Sequence, residues 1–282
     1  MIFLLAETMT ASCSKKTAAI VRLLDTTTIN QPALSGRLIF HNYSCYACND
    51  SKLYQYDFAT RQLTTISNGW NITNPMNAHF SPDGKIVVLM GIAANSNNWD
   101  IFLWRTSTSS QPTNLTAKFG ITRDEDPKFS TDGNRIVFKQ DGIIKEMDTL
   151  GNIIRKFAVT QKEGSMPYYL RGYSALLYSG SEANGTTADI FKFSISDNSI
   201  QSLSALPGLE EYYPIVRDDT SFLFTRWMST SNQNDQVYKG FLNGRTFLRL
   251  PFNESDQNYS HAFPVESKYV ICSSTRSGGK GG

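Results

Sequence analysis

Apolar and polar residues alternate along this chain in short runs, and turn signals break the runs every few residues. In one stretch, residues 78–80 read as a strand. Ser81-Pro82-Asp83-Gly84 reads as a tight turn, because Pro presets φ and Gly accepts positive φ. Residues 85–90 are nearly all apolar, which predicts a strand buried on both faces. Residues 99–104 give a third strand and residues 110–116 a polar, outermost fourth.

The pattern recurs. Phe129-Ser130-Thr131-Asp132-Gly133 repeats Phe80-Ser81-Pro82-Asp83-Gly84, and the anchors Phe80, Phe129, Tyr169, Val216 and Phe263 fall at intervals of 49, 40, 47 and 47 residues. An earlier anchor lies near Gln31. Later copies keep the run order while losing the motif, as in residues 173–179, 189–193 and 200–203. Four short antiparallel strands per copy, at this period, predict an all-β propeller rather than helices.

Phe80-Ser81-Pro82-Asp83-Gly84-Lys85, followed by Asp100-Ile101-Phe102 and Asn114-Leu115-Thr116, resembles the PD40 or WD40-like repeat. That repeat builds TolB-type six-bladed propellers and the propellers of prolyl oligopeptidases. The resemblance covers most of residues 31–282. It implies a six-bladed β-propeller of four-stranded antiparallel blades, with the last blade incomplete or closed by an N-terminal strand. Residues 18–24 are the candidate donor, since closure would remove exposed edges.

Composition narrows the function. The chain has 282 residues, 27 basic and 25 acidic, for a net charge of +2. No basic run exceeds Lys15-Lys16, which argues against a nucleic-acid partner. No stretch approaches the roughly 20 apolar residues of a membrane span. Residues 1–6 are apolar and stop at Glu7, and Thr10-Ala11-Ser12-Cys13 resembles a bacterial lipoprotein cleavage site with Thr10 where Leu is usual. This predicts a leader over residues 1–16, a single propeller domain over 17–282, and lipid on Cys13. The implied location is the periplasm or cell surface, with the membrane reached only through that anchor. Cys45-Tyr46-Ala47-Cys48 stands alone, so it lacks the four ligands of a zinc site and reads as a loop disulfide or two free thiols. No metal or cofactor is expected.

In a propeller the loops between strands two and three and between blades share one face, and binding resides on such loops. Candidate ligand-binding residues there are Asp124, Asp126, Tyr212, Arg226, Trp227, Tyr259, His261 and Arg276. The carboxylates suit a cation or basic partner, or simply cap strand starts. The tyrosines suit a sugar or peptide, or pack the rim. Arg226, Arg276 and His261 suit a carboxylate, since Arg binds it bidentately, or the arginines form ion pairs between blades. Asp100, Asp189 and Asp235 recur before the third strand, which points to a structural role on loop amides. No G-x-S-x-G, H-E-x-x-H or P-loop pattern occurs, and the three histidines are scattered.

The resemblance therefore implies first a non-enzymatic envelope binding module, whose loop face and central channel take a protein or peptide. The alternative is a carbohydrate-active or oligosaccharide-binding propeller, lyase-like, using the same face with Arg226, Tyr259, His261 and Arg276.

Overall fold

The computed structural model describes residues 3–7, 34–94, 96–181, 187–265 and 268–276. Cys13, residues 18–24, the anchor near Gln31 and the Gly-rich run after Arg276 lie outside these residues.

The strands run β1 (Phe3–Glu7), β2 (Arg37–Asn42), β3 (Lys52–Asp57), β4 (Gln62–Thr65), β5 (Ile72–Phe80), β6 (Ile86–Ala93), β7 (Trp99–Arg105) and β8 (Thr113–Asn114). Next come β9 (Asp124–Phe129), β10 (Arg135–Gln140), β11 (Ile143–Asp148), β12 (Ile153–Lys156), β13 (Glu163–Tyr169), β14 (Ala175–Ser181), β15 (Ala188–Ser194) and β16 (Ile200–Ser202). The chain continues through β17 (Glu211–Val216), β18 (Ser221–Trp227), β19 (Asp235–Phe241), β20 (Gly244–Arg249), β21 (Tyr259–Val265) and β22 (Tyr269–Ser274). Consecutive strands pair into sheets β2-β3-β4, β5-β6-β7-β8, β9-β10-β11-β12, β13-β14-β15-β16 and β17-β18-β19-β20.

The all-β propeller of antiparallel blades is therefore present, but the expected count of six blades is corrected to five among the described residues. Four have four strands and one has three. After β20 the chain forms the antiparallel pair β21-β22, and β1 lies beside β22 in parallel rather than as an antiparallel third strand. That mixed sheet is not a complete blade, because no antiparallel third and fourth strands succeed β22 among the described residues.

The second strand of each blade explains the stacking. Its residues alternate faces with period two. Val87 and Leu89 pack toward the first blade with Leu53, while Val88 and Met90 pack toward the third with Phe129, Ile136 and Phe138. Leu176 and Tyr178 face back onto Val137 and Ile144, and Leu177 faces forward onto Phe222 and Phe224. Leu223 then meets Tyr259, Val270 and Cys272. Both faces of each middle strand are buried, which is why these runs are continuously apolar.

Two polar devices repeat with the blades. In the Ser-x-Asp-Gly turns, Ser81 Oγ donates to Asp83 Oδ1 at 2.6 Å and accepts from the Ile86 amide at 3.0 Å. Ser130, Asp132 and Arg135 repeat this, with Gly84 and Gly133 at φ +69° and +75°. At the other end of the blade, a side chain just past the fourth strand accepts from a third-strand amide. The pairs are Ser67 with Leu53, Thr116 with Ile101, Ser204 with Ile190 and Asn253 with Val237, at 2.8–3.0 Å. The Thr of Asn114-Leu115-Thr116 is thus a blade fastener.

Candidate functional site: the central channel

The innermost strands share one irregularity. Asn77, Asp126, Met166, Tyr213 and His261 sit at φ between +49° and +57°. Each lies where the ladder to the second strand shifts register. Each is a β-bulge with a left-handed residue that is not glycine. Such conformations cost of order 1–3 kcal/mol each and cluster at functional sites. Here five occur at equivalent positions, and all five side chains line one central cavity.

The cavity has a volume of about 320 Å³, at the small end of ligand pockets, which run roughly 300–1,000 Å³. One wall comes from residues 38–45 of β2 and the loop after it, and another from Ile271, Cys272 and Ser273 of β22. Two residues beyond each bulge lies a second ring: His79, Lys128, Tyr168, Ile215 and Phe263. All but His79 line the cavity, and the His79 ring lies 5.8 Å from Tyr168 and 6.5 Å from Phe263.

The polar groups of the first ring bind one another. Asn77 Nδ2 donates to Asp126 Oδ1 at 2.7 Å, and the Met166 amide donates to Asp126 Oδ2 at 3.3 Å. The Tyr213 and His261 rings lie 3.8 Å apart, and His41 meets His261 edge-on at 6.2 Å. Burial sets the protonation states. It pushes His41 down to about 4 and His79 to about 3, in both cases with help from the Lys128 charge. It also lowers Lys128 to about 8 against the attraction of Asp126, and raises the Asp126 carboxyl. His79 is neutral at pH 7, and its Nδ1 accepts from the Phe129 amide at 3.2 Å. All three histidines that look scattered in the sequence converge on this channel.

The sequence candidates divide. Asp126 and His261 line the cavity. Arg226 does not. It is buried in the fifth blade, where its guanidinium pairs with Glu211 on the adjacent strand and lies 4.4–5.0 Å from the centroids of Phe224, Tyr238 and Phe247. This pair lies within one blade, not between blades. Arg276 pairs with Glu254 at 2.5 Å on the surface, and Tyr259 packs against Phe252. Trp227 is half-buried at the end of β18. The Tyr212 hydroxyl faces the Asp235 carboxylate. Asp124 is buried and accepts from Gln140 at 2.8 Å and Thr122 at 3.2 Å. Asp100 accepts from the Asn114 side chain at 2.7 Å rather than from loop amides. Lys128 and Met166 are not among the sequence candidates. One signal was available: Asn77, Asp126, Met166 and Tyr213 each sit three residues ahead of a repeat anchor.

The rim around the channel mouth carries the loops after each second strand and between blades. Cys45 and Cys48 form a disulfide there, holding Tyr46 out at 53% exposure. Tyr46 stacks on Trp99 at 6.4 Å and meets Tyr43 edge-on, and Arg123 reaches its hydroxyl at 3.4 Å. Ile121, Leu206 and Met228 are exposed on loops of the same face.

Among solved structures, TolB from Acinetobacter baumannii superposes with a TM-score of 0.60 at 16% identity, over 80% of this chain and 55% of that one. A putative TolB from Agrobacterium tumefaciens gives 0.59 at 13% identity, over 76% and 80%. The fold is that of a TolB-like β-propeller. The tricorn protease also carries it, with a TM-score of 0.61 at 16% identity over 86% of this chain and 24% of that protein. At such identities the TolB-like likeness speaks for architecture. The chain spans about half the length of the Acinetobacter baumannii TolB. No protein-family model matches the chain, and no curated protein does.

Proposed function

We propose that this TolB-like propeller is a non-enzymatic binding module of the bacterial cell envelope, which takes a protein or peptide partner on its loop face and at its channel mouth. One observation carries the reading. Four exposed large apolar side chains, Tyr46, Ile121, Leu206 and Met228, stand on the face where the cavity is walled by the Cys45 loop. Exposed apolar groups and a concave feature on one face of a rigid scaffold suit partner binding. The Cys45–Cys48 disulfide supports an oxidising compartment, and lipid on Cys13 would hold the propeller at the membrane, with β1 removed when the leader is cleaved.

A photo-crosslinking amino acid placed at Tyr46 or Ile121, and for contrast at Leu150 in the β11–β12 turn on the opposite face, tests this in cells of the source organism. One discrete adduct from the first two positions and none from Leu150 is the expected result. Equal labelling of both faces removes the reading. A glycan-binding alternative draws on the Tyr46–Trp99 stack, and an oligosaccharide array with the Tyr46→Ser variant separates it from peptide binding.

A further inference from the structure

The cavity contains hydrogen-bond donors without a partner among the described residues. Lys128 extends into it from β9 and forms no ion pair among the described residues. Its ammonium donates once, at 3.3 Å, to the carbonyl of the adjoining Pro127, so two of its three donors remain for an occupant. Tyr168 and Tyr213 also line the cavity, and neither hydroxyl has a hydrogen-bond acceptor among the described residues. The one carboxylate present, Asp126, has both oxygens engaged by Asn77 and Met166. The remaining wall is largely apolar: Leu38, Phe40, Ile215, Phe263 and Ile271.

We infer that the channel is a binding site for a small carboxylate with an apolar body, its oxygens received by Lys128 Nζ and the hydroxyls of Tyr168 and Tyr213. The charge balance selects the class. Among the described residues Lys128 is the one Lys or Arg lining the cavity, so it can offset a single negative charge and leaves the second charge of a phosphate dianion unpaired. Neutral His41 adds a hydrogen-bonding edge without charge. Charge-assisted hydrogen bonds inside such a cavity are stronger than on the surface. This site stands independently of partner capture at the rim, because its groups lie inside the channel.

The same geometry gives a pH dependence. Asp126 on its own strand, His79 from β5 and His41 from β2 lie within the field of Lys128, and Tyr168 from β13, Tyr213 from β17 and His261 from β21 line the same cavity. Above pH 6 His41 and His79 stay neutral, and burial holds the Tyr168 phenol at about 12. Lys128 itself titrates within this range, at about 8.

Calorimetry on the intact chain with phenylacetate and its isostere phenylacetamide tests the site directly. Saturable binding of the acid is expected, with the amide at least about tenfold weaker, as for a buried charge pair that loses one partner. The acid should bind at least about tenfold more weakly to a Lys128→Met variant of unchanged far-UV circular dichroism, and more weakly at pH 9.5 than at pH 7. Tetra-alanine with a free or an amidated C-terminus forms a second arm. Binding of the free acid alone identifies a chain terminus as the source of the carboxylate, and binding of phenylacetate alone identifies a free small molecule. If neither acid binds the wild-type protein, or if acid and amide bind alike, the inference is overturned. Tyr213→Phe keeps the question open to test if Lys128→Met does not fold, since it should weaken the acid more than the amide.

Discussion

The chain buries two acid–base pairs in opposite ways. Glu211 and Arg226 lie inside one blade, in direct ion-pair contact, with the guanidinium surrounded by three aromatic rings. Asp126 and Lys128 lie two residues apart on one inner strand, with no ion-pair contact between them and spare donors turned to a cavity. The first pair is closed and the second is open. A buried charge held against its counter-ion and ring faces, with no cavity beside it, maintains the fold. A buried charge whose donors face a cavity is available to a ligand.

The closed pair should show the larger stability effect. Arg226→Met leaves the Glu211 carboxylate buried without its cation, and about 3–5 kcal/mol of unfolding free energy should be lost in urea titrations. A loss under about 1 kcal/mol would mean that the pair is not closed. Lys128→Met should cost less than half as much, because Asp126 keeps the Asn77 and Met166 hydrogen bonds. Equal costs would erase the distinction.

Glu146 sharpens the comparison next. It is fully buried and accepts from Tyr169 at 2.7 Å and from Tyr173 at 2.6 Å, with Arg135 at 3.8 Å. Glu146→Leu removes both charge-assisted bonds and should cost about 3 kcal/mol. Tyr173→Phe removes one of the two and should cost about half of that, which the same titrations resolve.

The open region should also dominate the acid limb. His41 and His79 have folded-state values of about 4 and 3, below the ordinary value of 6.5. The unfolded chain therefore binds more protons, so stability is retained above pH 6.5 and lost as pH falls from there toward 4 and 3. Each histidine contributes a slope of up to about 1.4 kcal/mol per pH unit in that window. His79→Gln should flatten the urea midpoint between pH 6.5 and 4. An unchanged slope would mean that His79 is not buried in the fold.

The smallest effect belongs to the rim. Cys45 and Cys48 close a very short loop, so Cys45→Ser with Cys48→Ser should cost about 2 kcal/mol or less. The readout that should move is crosslinking from Tyr46, because the loop no longer holds that ring against Trp99.

Much of the fold was legible in the sequence. The Ser-x-Asp-Gly turns, the apolar second strands and the Asn-Leu-Thr ends each report local chemistry that repeats. The blade count was not, because strand closure depends on long-range pairing such as that of Phe3–Glu7 with β22, which no local pattern encodes. The site was half legible. Asp126 and His261 stood out by their chemistry, but so did Arg226, whose neighbours turn it inward. Lys128 reads as an ordinary surface lysine until the bulge at Asp126 aims its strand into the channel. Arg226 and Lys128 carry the same charge, and only the contacts from other strands and blades tell them apart.

The distinction is tested most directly by the reactivity of one amine. Trace acetylation with acetic anhydride across pH 5–11, read lysine by lysine by mass spectrometry, reports both the access and the titration of Lys128. An open channel predicts that Lys128 labels in the folded protein with a midpoint near 8, well below the ordinary lysine value of 10.5. Labelling only after unfolding, or a midpoint at the ordinary value, would contradict the account of the channel as the binding site.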